Sequence, residues 1–189
     1  MTIAARFTIR DLDRFPDDKR YRYEIIDGEL HVTKAPDSDH QFISTNLIVE
    51  LGTWNRATEL GVVLPAPGVV FAVDDAVIPD LIWVRAERYR SILDSAGHFT
   101  AAPDVVIEIL SPGSANQRRD RELKLAVYNR WAVPEYWIVN REQRQVLVYR
   151  REFDGLALTA TLGEGDRLTS PQFPGFTCPV SSLFIGIPA

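Results

Sequence analysis

The chain has 189 residues, of which 46% are hydrophobic and 25% are charged, and its formal net charge is −5. This length predicts one domain over residues 1–189 with a full hydrophobic core. The acidic balance disfavours a tight nonspecific nucleic-acid binder, because such proteins are usually basic. The acidic charge does not exclude an enzyme that binds phosphate groups through metal cations.

The cysteine count, the histidine spacing and the hydropathy exclude further classes of protein. The single Cys178 excludes an intrachain disulfide and a cysteine zinc cluster. The three histidines have no metal-type spacing. The sequence shows no apolar run of membrane length and no signal peptide, so we expect a cytoplasmic protein without a membrane partner.

The first predicted elements are a short polar segment and a hairpin. Residues 1–20 predict a short strand and turn or a short helix. Residues 21–32 predict two strands joined by Asp27-Gly28, a strong hairpin signal. Glu24 and Glu29 lie in these strands, where exposure to solvent is as consistent with the pattern as a functional role.

A long helix is predicted at about residues 39–58, with apolar residues at helical spacing. Asp37 or Ser38 is its candidate N-cap. His40 would lie in its first turn, where a single histidine is more often a surface or capping residue than part of a site.

Residues 61–101 predict strands followed by a short helix. Two short strands lie within 61–73, and Asp74-Asp75 makes a turn. Residues 77–85 predict an apolar strand with Pro79-Asp80 near its beginning. A short helix at 87–93 and a loop follow.

The stretch from 102 to 140 predicts a strand, a helix and a strand. Residues 104–110 form a β-branched run typical of a strand buried on both faces, and Glu108 lies within it. A buried carboxylate is unfavourable unless it is paired or binds a metal. The alternative is a surface-facing glutamate on an edge strand. A helix at 115–131 and a strand at 133–140 follow.

The predicted helix carries two stripes of side chains at helical spacing. In one hypothesis Lys124 makes an ordinary solvent-exposed pair with Asp120. In the other, the helix packs over the strand and points Lys124 at Glu108. The apolar stripe comprises Leu123, Val127 and Trp131, and the polar stripe comprises Asp120, Lys124 and Tyr128.

The C-terminal part predicts antiparallel strands at 145–150 and 156–162, joined by a turn at Asp154-Gly155. The Pro-rich and then apolar tail at 170–184 is expected to pack across the sheet. The sequence as a whole predicts an α/β fold: a central mixed sheet flanked by helices, with added antiparallel strands.

Asp80 and Glu108 are candidate ligands of one divalent ion. Neighbouring strands lie about 4.8 Å apart, so paired residues could share a metal. Asp104 is a poorer partner for Glu108, because four residues along one strand span roughly 13 Å. Carboxylate oxygens select Mg²⁺ or Mn²⁺, and a nearby Lys124 would add a cation to the same place.

These residues resemble the signature of the PD-(D/E)XK, or restriction-endonuclease-like, nuclease superfamily. More closely, the chain is similar to the Uma-two family of candidate restriction endonucleases. The resemblance rests on the order and spacing of motifs: YEIIDGEL at 23–30, His40-Gln41, PDLIWV at 79–84, PDVVIEILSP at 103–112, K-x-x-x-Y at 124–128, VPEYWIVN at 133–140, VYR at 148–150 and SPQFPGF at 170–176.

The sequence departs from the superfamily pattern at the lysine. That residue would stand two positions after Glu108, where Leu110 has no charge. Lys124 matches a position in the following helix to which the lysine has migrated in this family. Relatives often carry aspartate at the position of Asn140, to which we assign no role.

The resemblance implies a Mg²⁺- or Mn²⁺-dependent phosphodiesterase acting on DNA. Asp80, Glu108 and the Ile109 carbonyl would bind the metal, and Lys124 would position or polarise the attacking water. DNA is the expected substrate, and a homodimer is one option for the assembly.

Further site candidates follow from the same resemblance and from the polar stripe. Glu24 would be an outer carboxylate, His40 a rim residue and Tyr128 an accessory group. The candidate phosphate contacts are Gln117, Arg118, Arg119 and Arg121.

Two other classes remain open. One is a non-catalytic nucleic-acid or protein interaction module that retains the nuclease fold. The other is a glycosidase with two carboxylates, which would need an aromatic sugar-binding cleft. The four tryptophans fall mostly at core-type positions, which disfavours such a cleft.

Overall fold

A mixed six-stranded sheet lies at the centre of this computed structural model, which describes residues 6–16, 18–111, 113 and 118–187. This confirms the fold class predicted from the sequence. In spatial order the strands of the central sheet are β10 (Gly155–Leu162), β9 (Gln145–Glu152), β8 (Glu135–Asn140), β7 (Val105–Ile109), β6 (Leu81–Arg85) and β3 (Gly61–Pro65). The β7–β8 pair is parallel, and the other neighbouring pairs are antiparallel.

A smaller antiparallel sheet contains the predicted hairpin. Asp27 and Gly28 have φ values of 51° and 73°, the left-handed conformation that a two-residue hairpin turn requires. Both the hairpin and its Asp-Gly turn are therefore confirmed. In spatial order the strands are β2 (Glu29–Lys34), β1 (Tyr21–Ile26), β5 (Asp75–Val77) and β4 (Val69–Ala72).

The long helix predicted at 39–58 is confirmed as α2 (Ser38–Thr58). Its N-cap is Asp37, whose side chain accepts a hydrogen bond from the backbone N–H of His40. The remaining short elements are α1 (Ile9–Leu12), α3 (Ala86–Tyr89), 3₁₀ turns at Arg90–Ile92 and Val180–Phe184, and the strand pair β11 (Arg167–Leu168) and β12 (Cys178–Pro179).

The helix predicted at 115–131 differs from the observed one. A π-helical segment, Arg119–Leu123, precedes α4 (Lys124–Arg130). Residues 114–117 lie outside the described residues. A π-helical turn has a different repeat from an α-helix. Lys124 and Tyr128, four residues apart within α4, lie on one face of that helix.

The strand predicted at 77–85 is also wrong as one element. The chain changes sheets there, with β5 in the small sheet and β6 in the central sheet. Ile78, Pro79 and Asp80 form the connection, and it places Asp80 where the two sheets meet.

Two hydrophobic cores cover the two faces of the central sheet. Strand β7 contributes alternate residues to each: Val105, Ile107 and Ile109 to one and Val106 to the other. The first core receives α2 and the C-terminal tail, confirming that the tail packs across the sheet, while the second receives α4. Glu108 therefore lies on the face covered by α4.

We predict opposite effects for two glycine-to-alanine substitutions. A Cβ at Gly61 would collide with the Trp83 ring and the Val84 carbonyl oxygen, whereas a Cβ at Gly52 would meet nothing within 4 Å. Gly61→Ala should lower the free energy of unfolding by about 1–3 kcal/mol through overpacking. Gly52→Ala in α2 should raise it by about 0.5–1 kcal/mol. Urea unfolding measures both, and a Gly61→Ala protein as stable as wild type would contradict the packing.

Candidate active site

A cavity of about 500 Å³ lies where the hairpin, the start of α2, the ends of β6 and β7, and α4 meet. Most of its polar wall is charged, and it contains both acidic and basic groups. The charged residues and histidine that line it are Arg22, Glu24, Lys34, Asp37, His40, Asp80, Glu108 and Lys124.

Asp80 and Glu108 both line this cavity. In the antiparallel β6–β7 pair, Leu81 is opposite Ile107, so the next pair outward is Asp80 and Glu108. The Ile109 N–H donates a hydrogen bond to Asp80 Oδ2 at 2.9 Å, which fixes the aspartate against β7. The two carboxylates thus face the same cavity, Glu108 from β7 and Asp80 from the connection that leads into the adjacent β6.

The other oxygen of Asp80 contacts two basic side chains. Arg22 Nη1 lies 2.8 Å from Asp80 Oδ1, and His40 Nε2 lies 3.0 Å from the same oxygen. His40 is buried, so it forms part of the wall behind Asp80 and not the rim expected from the sequence.

These contacts keep Asp80 ionised. Burial by itself would raise the pKa of the carboxyl group. The hydrogen bond from His40, the electrostatic interactions with His40 and Lys124, and the Ile109 N–H outweigh burial. Together they lower the pKa of Asp80 well below its usual range.

Lys124 lies between two buried carboxylates. Its Nζ is 2.8 Å from Glu108 Oε1 and 3.0 Å from Glu24 Oε1, and its side chain is 2% exposed. The hypothesis that Lys124 lies in solvent is therefore wrong. The Ile78 N–H donates to Glu24 Oε1 at 2.7 Å, so the connection between the sheets also holds Glu24 in place.

Tyr128 lies one turn beyond Lys124 and donates its hydroxyl to Glu108 Oε1 at 2.7 Å. Burial raises the pKa of Tyr128 well above its ordinary value, and the negative charge of Glu108 adds to the effect. The hydroxyl therefore stays protonated and acts as a hydrogen-bond donor.

Two of the candidate phosphate contacts, Arg118 and Arg121, are not brought to the cavity. Arg118 is exposed and pairs with Glu122 at 2.9 Å. Neither Arg118 nor Arg121 is among the described residues that line the cavity. Gln117 and the side chain of Arg119 lie outside the described residues.

Arg22 is a site residue that the motifs did not identify. Alternation along β1 places Arg22 and Glu24 on the same face, and this pattern was the available signal. Two other polar residues are structural. Asp104 pairs with Arg88 at 2.7 Å, and Asn140 holds the turn that contains Gln143.

The donor groups suit a hard divalent cation. Among the described residues, no three His, Cys, Asp or Glu side chains are grouped to hold an ion. Mg²⁺ does not need such a cage, because it keeps several waters and is usually bound through one or two carboxylates. Asp80 and Glu108 meet that requirement, and Ile109 lines the same cavity.

The mixed central sheet, with α2 on one face and α4 on the other and the smaller sheet beside it, forms a restriction-endonuclease-like fold. The chain matches the Uma2 family, described as "Putative restriction endonuclease", over residues 9–181, and it belongs to that family. This confirms the resemblance seen in the sequence.

A solved structure supports the same fold. It is described as a "putative nuclease belonging to DUF820" from Anabaena variabilis ATCC 29413, with a TM-score of 0.75 and 17% sequence identity. The similarity covers 94% of this chain and 97% of that chain. No curated protein matches the sequence. None of the described helices has the length and apolar character needed to cross a membrane.

We predict that Tyr128→Phe weakens the site without disturbing its packing. The loss of a hydrogen bond to a buried carboxylate should lower the free energy of unfolding by about 1.5–3 kcal/mol. Tyr149→Phe is the matched control, because Tyr149 stacks on Tyr136 and no hydrogen bond from its hydroxyl is described. Equal stabilities of the two variants in urea would argue against the Tyr128–Glu108 bond.

Proposed function

We propose that this protein is a Mg²⁺- or Mn²⁺-dependent DNA endonuclease that hydrolyses phosphodiester bonds. The observation that carries the proposal is the convergence of Asp80, Glu108 and Lys124 on one cavity. Membership of the family described as "Putative restriction endonuclease" supports it.

The metal would be held by the carboxylates of Asp80 and Glu108, with the Ile109 carbonyl as a further ligand. When bound, such an ion supplies an activated water and stabilises negative charge on the phosphate. His40 and the Ile109 N–H would orient Asp80 for this role.

Lys124 would position or polarise the attacking water. Its Nζ is held by Glu108 and Glu24 on the cavity wall, so its charge is fixed before substrate arrives. A preorganised charge stabilises a transition state more than a mobile one, because no reorganisation is needed during reaction. Glu24 and Tyr128 would serve as accessory groups that hold Lys124 and Glu108 in place.

The rest of the proposal concerns the substrate and its setting. Gln117, Arg118, Arg119 and Arg121 are proposed contacts to DNA phosphates. A cytoplasmic location and a homodimer are proposed with them.

A glycosidase is the weaker candidate for two carboxylates in a cavity. Recognition of a sugar ring favours an aromatic platform, yet the described residues that line this cavity include no Phe, Tyr or Trp. Trp83 and Trp137 are buried in the core instead.

We predict that Glu108→Gln strongly lowers metal-dependent cleavage. Removing the charge of one ligand should lower plasmid cleavage in Mg²⁺ or Mn²⁺ by at least about a hundredfold. It should also weaken Mn²⁺ binding in calorimetry. Glu29→Gln makes the same chemical change at an exposed position of β2 and should cleave like wild type. A wild-type protein that binds no Mn²⁺ and cuts no plasmid would instead favour the interaction module.

We also predict that Lys124→Met separates catalysis from metal binding. The variant should retain Mn²⁺ binding but lose on the order of a hundredfold in rate. Because it leaves two buried carboxylates without their lysine, it should also lower the free energy of unfolding by about 3–5 kcal/mol. The cleavage rates of the variant and wild type are therefore compared at a temperature at which circular dichroism shows that both are folded. Lys19→Met, at an exposed position, is the control, and a Lys124→Met protein with the wild-type rate would exclude a catalytic lysine.

A further inference from the structure

We propose that Arg22 binds a DNA phosphate, and that its pairing with Asp80 prevents this until Asp80 binds a metal ion. Arg22 pairs with Asp80 in the structure. Its guanidinium would turn to a DNA phosphate when the Asp80 carboxylate binds a divalent cation. The inference rests on the proposed function, which it extends with a substrate-binding residue and a link between metal and DNA binding.

The first support is the crowding of Asp80. Its Oδ1 contacts both Arg22 at 2.8 Å and His40 at 3.0 Å, and its Oδ2 accepts the Ile109 N–H at 2.9 Å. A carboxylate offers about four acceptor positions, so these contacts leave little room for a cation. Binding a metal through Asp80 therefore favours the departure of one donor.

Arg22 is the donor best able to leave. The Ile109 N–H is fixed in β7, and the side chain of His40 is 5% exposed within α2. The side chain of Arg22 is 25% exposed. A divalent cation on Asp80 would also repel the nearby guanidinium, which adds a driving force for its release.

The position of Arg22 suits a phosphate. It lies on β1 opposite Thr33 of β2, and both residues line the cavity together with Lys34. A single hydrogen bond is described for its guanidinium, from Nη1 to Asp80. The planar fork of an arginine offers further N–H donors that match two phosphate oxygens at once.

Lys124 provides the contrast within the same cavity. It is 2% exposed and contacts two carboxylates, so it stays in place. Arg22 contacts one carboxylate and reaches solvent. Lys124 is thus a fixed basic group of the cavity, whereas Arg22 is free to exchange partners.

The deciding experiment measures Mn²⁺ binding to Arg22→Gln by calorimetry without DNA. We expect Mn²⁺ to bind about tenfold more tightly than to wild type, since the cation no longer competes with a guanidinium. A merely structural role for Arg22 gives the opposite sign, because a less well-held Asp80 would bind Mn²⁺ more weakly.

The second readout is kcat/KM on a DNA duplex as a function of salt. We expect Arg22→Gln to lower kcat/KM by about tenfold and to make its salt dependence shallower by about one phosphate contact. Arg22→Lys keeps the charge without the fork. It should therefore bind Mn²⁺ nearly as wild type does, yet still show a lower kcat/KM.

The matched control is Arg20→Gln, which makes the same charge change just before β1. Arg20 pairs with Asp18, and its side chain is 82% exposed, so both readouts should stay at wild-type values. Unchanged or weaker Mn²⁺ binding by Arg22→Gln, or an unchanged kcat/KM, overturns the inference alone. A wild-type protein that binds no Mn²⁺ overturns the proposed function and this inference together.

Discussion

The contact of Lys124 with Glu24 and Glu108 is the interaction on which the arrangement of the site depends. Removing three charged groups from water is unfavourable unless opposite charges and hydrogen bonds meet closely. Here they meet at 2.8 and 3.0 Å, and Tyr128 adds its hydroxyl to Glu108. Because Glu24 comes from the small sheet, Glu108 from the central sheet and Lys124 from α4, their pairing fixes the relative positions of three elements.

Asp80 makes a second junction beside the first. It joins Arg22 of the hairpin, His40 of α2 and the backbone of Ile109 in β7. One strand, β1, therefore supplies a partner to each of the two clusters. The hairpin therefore helps to hold both carboxylates of the proposed nuclease site. Arg22 contacts Asp80 directly, and Glu24 contacts the lysine that pairs with Glu108. The family signature, by contrast, lies mainly in the segments of β6 and β7.

The sequence predicted what local patterns encode. β-branched runs located β7 and β8, the Asp-Gly turn located the hairpin, and the spacing of Lys124 and Tyr128 placed both on one helical face. The sheet change before β6 and the π-helical segment were missed, because neither leaves a compositional signal. Arg22 was missed because an arginine on a hairpin strand is usually exposed. Its role depends on a partner, Asp80, that only the tertiary structure brings near.

The wide spacing of the site residues along the chain has a consequence for folding. Strand β7, α4 and β8 are close in sequence and can associate early. The contact between Glu24 and Lys124, by contrast, joins two distant parts of the chain. Closing such a long loop costs conformational entropy before any contact compensates for it. Lys124 would stay hydrated until its second carboxylate arrives. We therefore expect docking of the hairpin to follow the association of β7, α4 and β8, so that a partly folded chain lacks the assembled cluster of Glu24, Glu108 and Lys124.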